Sequence, residues 1–378
     1  MSQKSTNLLL GISVLPALLV MPAMASVVQP VDGVLSNQTI YNHTGVMYNL
    51  KTLGSDLLIS GSRFFNNNNS DSGWGGVAHA TGGHSLAVSN SEFIGNSALV
   101  GGGALSSGTG AKQLTINGST FTFNHAREDG GAVASYRGLS IKNSTFDGNT
   151  AQYEQDENGE WKKVVAGDMP IGGGALALGA VSDTTIASIS TTTFKNNASG
   201  VNGGAIGTRL AADADNQDAK LDISATFENN FAENNGGAIY NTFYANNGLG
   251  KGDGVTVTGN FISNAAGVNG GAIYNDGALD KAETPSGGVM TLNNANFTEN
   301  KVTGTASKTG QGGAIYNSGT LNINGGNFVK NNASKWAGAI YNGDGGTLII
   351  DGATFTENSS NESGGAVVSG TAAVKTEI

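Results

Sequence analysis

Catalysis, metal binding and phosphate binding each need particular side chains brought together, and few in this chain are spaced to do so. Cleaving a polysaccharide takes paired carboxylates, or an acid cluster that holds Ca²⁺ beside a base. Asp222 and Asp351 stand alone in otherwise neutral, strand-like stretches, and the four arginines (Arg63, Arg127, Arg137, Arg209) are dispersed. His79 and His84 lie five apart in HATGGH with no acidic neighbour, which suits exposed turn residues better than metal ligands. The hexapeptide GGAIYN begins at Gly236, Gly270 and Gly312, and again as AGAIYN at Ala337. A glycine loop cradles phosphate when a helix and a lysine follow it, and neither follows here. No catalytic residue, cofactor site or metal site is expected.

Recognition has better candidates. Tyr240, Tyr274, Tyr316 and Tyr341 hold the same place in four successive motif copies. On stacked strands they would form an outward ladder at about 4.8 Å per step, a stripe that could meet sugar rings or another chain, or simply stabilise the stack. Tyr153 and Trp161 sit among acids in TAQYEQDENGEWKKVVAGDMPI (150–171), where Asn158-Gly159 signals a tight hairpin turn. That hairpin is either a recognition knob or a flap packed on its support. Three consecutive connections, 208–220, 242–254 and 276–288, are longer than the others and would emerge side by side if the units stack.

The elements that must position these residues follow from a repeat. The motif F-x-x-N occurs ten times: Phe64/Asn67, Phe93/Asn96, Phe121/Asn124, Phe146/Asn149, Phe194/Asn197, Phe227/Asn230, Phe261/Asn264, Phe297/Asn300, Phe328/Asn331 and Phe355/Asn358. After each comes a glycine pair or its near relative, beginning at 75, 102, 130, 173, 203, 236, 270, 312, 337 (Ala) and 364. Before each Phe lies an alternating apolar pair, as in LTINGSTF or LNINGGNF. Period-two alternation bracketed by Gly and Asn marks strands, and no helical period is sustained beyond the first 25 residues. Each unit then reads as three short strands: glycine motif, apolar pair, and Phe. Such units stack as a solenoid, an all-β parallel β-helix of about ten coils. The fourth position of the glycine motif is Ile, Leu or Val in nine copies and Ala78 in the other, so it faces the core. The fifth varies freely, as a solvent-facing side chain does. The entry glycines suit positive φ or close backbone approach. The motif asparagines suit left-handed corners and hydrogen-bonded ladders.

Composition limits partners and compartment. The net charge is −10 with no compensating basic cluster, which argues against nucleic acid. Residues 1–25 carry Lys4, the apolar run LLLGISVLPALLV and an A-x-A pattern ending at Ala25, the signature of a secretory signal peptide. No later segment is apolar enough for a spanning helix, so the chain is not expected to be integral to a membrane by itself. An exported chain with no cysteine must be stabilised by repetition instead of disulfides. The expected organisation is a signal peptide (1–25), an entry segment or cap (26–56), the repeat domain (57–370) and a tail (371–378).

With these motifs in view, the chain resembles the polymorphic outer-membrane protein repeats of autotransporter passenger domains. Those repeats pair GGA-I/L/V with F-x-x-N, present here as GGAL at Gly102, GGAV at Gly130 and GGAI at Gly203 among others, over about residues 57–370. The resemblance implies a right-handed parallel β-helix displayed at the bacterial surface, with an adhesive role toward a host-cell or matrix surface, protein or glycan. Such passengers are followed by a membrane barrel, and the nine residues GTAAVKTEI after Ser369 are too few to build one. Two other readings stay open: a polysaccharide-cleaving β-helix enzyme, and a truncated autotransporter fragment without activity of its own.

Overall fold

The computed structural model describes residues 27–70, 73–155, 161–164, 171–179, 187–211, 220–244, 254–277, 289–306 and 309–378. The expected signal peptide lies outside them. Among the described residues the strands form sheets of 20, 11 and 10 strands plus a two-stranded hairpin. All pairing within the three large sheets is parallel between one coil and the next, as Phe93 opposite both Phe64 and Phe121 illustrates. The molecule is a parallel β-helix, as the repeat requires.

The division into walls differs from the expected one. The apolar-pair strand and the Phe strand belong to one sheet, bent between them in most coils and fused into single strands at Ala187–Lys195, Leu221–Glu228 and Val255–Ile262. The third wall is the dipeptide that follows each motif asparagine, such as Ser97–Ala98 or His125–Ala126. Two residues are too few to show alternation, so this wall carries no period of its own.

The stack also begins before the first motif pair. Val34–Ser36 and Thr39–Tyr41 pair with the strands of the next coil, placing Ile40 opposite Phe64. The backbone N–H of His43 donates to Asn67 Oδ1 at 3.0 Å, so His43 occupies the asparagine place. What reads as an entry segment is therefore a coil with degenerate motifs. At the other end Lys375–Glu377 lies parallel on Thr347–Asp351.

Four buried columns hold the coils in register. The motif phenylalanines from Phe64 to Phe355 stack face to face with centroids 4.6 to 5.2 Å apart, the spacing that parallel strands impose. Beside them runs the asparagine ladder. Asn197 donates through Nδ2 to Asn230 Oδ1 at 2.9 Å and to Phe146 O at 3.0 Å. The same pair of bonds recurs along the column: Asn96 donates to Asn124 and to Phe64 O, Asn124 to Asn149 and to Phe93 O, and Asn149 to Asn197 and to Phe121 O. Further on, Asn300 donates to Asn331 and to Phe261 O, and Asn331 to Asn358 and to Phe297 O. The asparagines of the glycine motif make a second ladder, Asn241 to Asn275 (2.9 Å) to Asn317 (2.8 Å) to Asn342 (2.8 Å).

Both ladders form, but neither occupies the left-handed corners expected of it. Asn96, Asn124, Asn149, Asn300 and Asn331 are fully buried, and none of them has positive φ. Each turns its amide into the rod, where the carbonyl of the preceding coil's phenylalanine needs a donor. Positive φ belongs instead to the residue just before each F-x-x-N asparagine, among them Asn66, Phe123, Glu299 and Lys330, with φ from 51 to 65° along the column. The fourth column, confined to the first motif coils, is serine. Backbone N–H groups of Ser62, Ser91 and Ser119 donate to the Oγ of the next coil's serine at 3.1 to 3.2 Å.

The two glycines of each pair do different work. The first has φ between 61 and 82° in the nine copies that carry it, and Ala337 adopts φ 60° in the tenth. Both also lie backbone against backbone: a Cβ on Gly312 would be 2.0 Å from Ile315 O of its own coil, and one on Gly313 2.2 Å from Gly338 O of the next. Gly312→Ala is expected to cost about 1–2 kcal/mol of left-handed strain, because the coil bearing Ala337 shows that the backbone can shift enough to seat the methyl. Gly313→Ala should cost more, since the carbonyl it meets belongs to the neighbouring coil and the second position is glycine in all ten copies, whereas the first admits Ala337. Urea unfolding of the two variants compares them directly, and equal losses would refute this division of roles.

Candidate functional site

Tyrosines 240, 274, 316 and 341 project from the outer face of the glycine-motif sheet in strict register. Their ring centroids are 5.4, 4.7 and 5.5 Å apart, and Trp336 extends the column with a stacked contact to Tyr341 at 6.0 Å. The ladder is therefore real, yet it is not freely solvated. Tyr240, Tyr274 and Tyr316 are partly covered and Tyr341 is 8% exposed. Tyr240 Oη donates to Asp276 Oδ2 at 3.1 Å, and Ser318 Oγ donates to the other oxygen at 3.1 Å. Burial pushes the phenols up, Tyr316 to about 12, and raises Asp276 against the hydrogen bonds that oppose it. Stacking uses the ring faces, so the column offers ring edges and hydroxyls to a partner, an arrangement suited to hydrogen bonding more than to stacking a sugar.

In the earlier coils the same fifth position is covered outright, which corrects the solvent-facing expectation. Ala134 and Ala177 are buried with Ile171 beneath Trp74 and Tyr136, whose rings meet edge to face at 5.4 Å. Trp74 also lies against His79 at 6.4 Å, and His79 Nδ1 is 2.7 Å from Ser106 Oγ. His79 is thus a half-buried strand residue. His84 has an acidic partner from the preceding coil, Asp56, at 3.5 Å, which sequence proximity could not show. Asp129 accepts from the Gly172 N–H at 3.0 Å and so fastens the end of the 150–171 insertion to the rod. Its burial pushes it up to about 6, with Glu128 adding to the shift and Arg209 opposing it.

The hairpin forms where Asn158-Gly159 signalled it. Tyr153–Gln155 pairs antiparallel with Trp161–Lys163, setting Tyr153 opposite Lys163 and Gln155 opposite Trp161. The turn itself and the Trp161 side chain lie outside the described residues. Tyr153 is an anchor more than a knob. Its Oη lies 3.4 Å from both Ser199 O and Glu233 Oε1, and burial followed by the Glu233 charge raises its phenol. Gln152 Oε1 accepts from Ser199 Oγ at 2.9 Å, and Lys163 Nζ is 3.4 Å from Asn234 Oδ1. The hairpin is braced across the next two coils.

Of the three long connections, the bases of two run side by side as an extended parallel pair, Ile206–Ala211 with Ile239–Tyr244. The third starts next to them, with the Asp276 N–H donating to Asn241 O at 2.8 Å. Residues 212–219, 245–253 and 278–288 lie outside the described residues. Asp222 and Asp351 are exposed on the outer face of the long sheet. Among the described residues no three His, Asp or Glu side chains come together as a metal site, and no helix is long and apolar enough to cross a membrane.

No curated protein and no solved structure matches the chain. The family model described as the Chlamydia polymorphic membrane protein repeat matches residues 191–209, 224–242 and 294–318. Each match runs from an F-x-x-N motif through the following glycine motif, the two halves that the Phe and Asn columns and the glycine pair hold in register. The rod therefore carries repeats of the polymorphic membrane protein kind, a family whose place is the outer membrane or cell surface.

Proposed function

We propose that the protein is exported and displayed as a passenger-type rod that acts, adhesin-like and without a catalytic centre, by multivalent contact with protein or glycan on a host-cell or matrix surface. The observation that carries this reading is the division of labour along the chain. The repeated residues are consumed in buried columns, while the interruptions are mounted on the outside. The hairpin is braced by Gln152, Tyr153 and Lys163, and the bases of three long connections adjoin on one sheet. Rigid mounting suits contact surfaces, because little ordering entropy is left to lose on binding.

Beads coated with the intact chain should adhere to cultured cells. Deleting 208–220, 242–254 and 276–288 together should abolish most of that adherence while circular dichroism keeps its β signal. Undiminished adherence of the folded deletion variant would end the reading. The non-catalytic part has its own check: incubation with acidic polysaccharides should release no reducing or unsaturated ends. Release that disappears when a single carboxylate is replaced would overturn it.

A further inference from the structure

On the outer face of the narrow sheet, Asn68, Ser97 and His125 follow one another in register on successive coils. The hairpin leaves the rod one coil further on, after Thr150. In the angle between them is a cleft of about 280 Å³ whose walls include Asn68, Ser97, Leu99, Arg127 and Glu154. Its size is just below the usual range for drug-sized ligands, about 300–1,000 Å³, and suits a single ring.

The lining has three properties that together select a ligand. Leu99 is a large apolar side chain left 45% exposed, beside the small Ala98. Arg127 Nε lies 3.5 Å from Glu154 Oε2, an ion pair too long and poorly directed for a hydrogen bond, so its buried N–H has no acceptor. A buried donor without a partner is destabilising, and an oxygen arriving in the cleft would satisfy it. Among the described residues, Arg127 and Glu154 are the only charged side chains on the wall, and they cancel. His125 adds none, since its ring is held neutral by burial and its Nδ1 is engaged with Thr150 Oγ1 at 3.0 Å. An anion would meet Glu154 and a cation would meet Arg127.

We propose that this cleft binds one ring of a neutral hexose belonging to an uncharged glycan. The C–H face of the sugar lies against Leu99 and Ala98. Its hydroxyls accept from Arg127 and donate to Glu154, with the Asn68 amide and the Ser97 hydroxyl at the rim. Ser97 Oγ already donates to Asn68 Oδ1 at 3.1 Å, which leaves the Asn68 amide N–H groups to face the ligand. The inference rests on the reading of the rod as a binding scaffold and supplies the ligand class for one of its sites.

The experiment is a saturation-transfer titration of the full chain with the methyl glycosides of galactose, glucose and mannose, alongside glucuronate and lysine methyl ester. One or more of the neutral glycosides should bind, with Kd in the millimolar range for so small a ligand. Glu154→Gln and Leu99→Ser should each weaken that binding about 5- to 10-fold. Leu99 is exposed, so its replacement leaves folding intact and keeps the test decisive. Absence of binding by all three glycosides, binding untouched by both substitutions, or binding of glucuronate or the lysine ester alone would overturn the proposal. Bead adherence measured on the same variants separates the two readings. Hexose binding without adherence removes the adhesin role and keeps the cleft, whereas adherence without hexose binding does the reverse.

Discussion

Asn230→Leu should destabilise the rod by about 4–8 kcal/mol, the sum expected when several buried hydrogen-bonding groups lose their partners at once. Asn230 lies in the middle of the ladder and is 1% exposed. Its Oδ1 accepts from the Asn197 backbone N–H at 3.0 Å and from Asn197 Nδ2 at 2.9 Å. Its Nδ2 donates to Phe194 O at 3.0 Å and to Asn264 Oδ1 at 2.9 Å. Leucine removes all four bonds and leaves their partners buried with no water to replace them, at about 1–3 kcal/mol for each group left unsatisfied. Because each coil touches only its neighbours, the damage is local in origin but sits between two halves of the stack. Asn358, the last of the column, is partly solvated; it accepts from the Asn331 N–H and Nδ2 at 2.9 Å and donates to Phe328 O, and lacks only the bond to a following asparagine. Asn358→Leu should cost less, because one bond fewer is lost and water can reach the end of the column. Urea midpoints for the two variants decide the matter, and similar losses would show that the ladder is not cooperative along the rod.

The parts of the fold that were legible in the sequence are those where every coil must solve the same problem with the same side chain. Only Phe or a near equivalent fills the core column, only Asn both donates and accepts along the ladder, and only Gly lets one backbone lie on the next at Gly313. Those positions repeat visibly. The corner residues do not, because Asn66, Phe123, Glu299 and Lys330 share a φ and not a chemistry. The left-handed turn there is enforced by its neighbours, so no residue type announces it. The serine column was hidden differently, a single residue (Ser62, Ser91, Ser119, Ser144) two places before the Phe in only the first four motif copies. The first coil escaped because Ile40 and His43 stand in for Phe and Asn, and register alone identifies them.

The candidate site was less legible, for reasons of distance. The tyrosine column could be read from its spacing. Its covering could not, since Asp276 reaches Tyr240 from the next coil and Tyr136 covers Ala177 from the previous one. The cleft joins Leu99, Arg127 and Glu154, which become neighbours only when three coils stack with an insertion beside them. Periodicity predicts which residues align along a column. It is silent about what leans over the column from an irregular segment.

Two partly buried groups on neighbouring elements should give the rod a concealed pH dependence. Burial holds Asp129 at about 6, above its ordinary 3.8. Between those values the folded chain keeps a proton that the unfolded chain has released, so this group makes stability fall as pH rises from about 4 to 6. Burial also holds His125 at about 4, below its ordinary 6.5. Between these values the unfolded chain binds a proton that the folded chain refuses, so this group makes stability rise with pH over nearly the same window. In the intact protein these two slopes oppose each other and largely cancel. Asn at position 129 preserves the carbonyl acceptor for the Gly172 N–H while abolishing the titration. Asp129→Asn should thus unmask the histidine, with stability increasing by about 3 kcal/mol between pH 4 and 6.5, since each tenfold difference in proton affinity is worth about 1.4 kcal/mol. His125→Gln should unmask the aspartate and lose a similar amount over the same rise. The double variant should again track the intact protein. Urea midpoints measured across this range for all four proteins give the answer, because every other titrating group is common to them and subtracts out. Parallel profiles for the two single variants would show that one of these side chains is solvated in the folded rod.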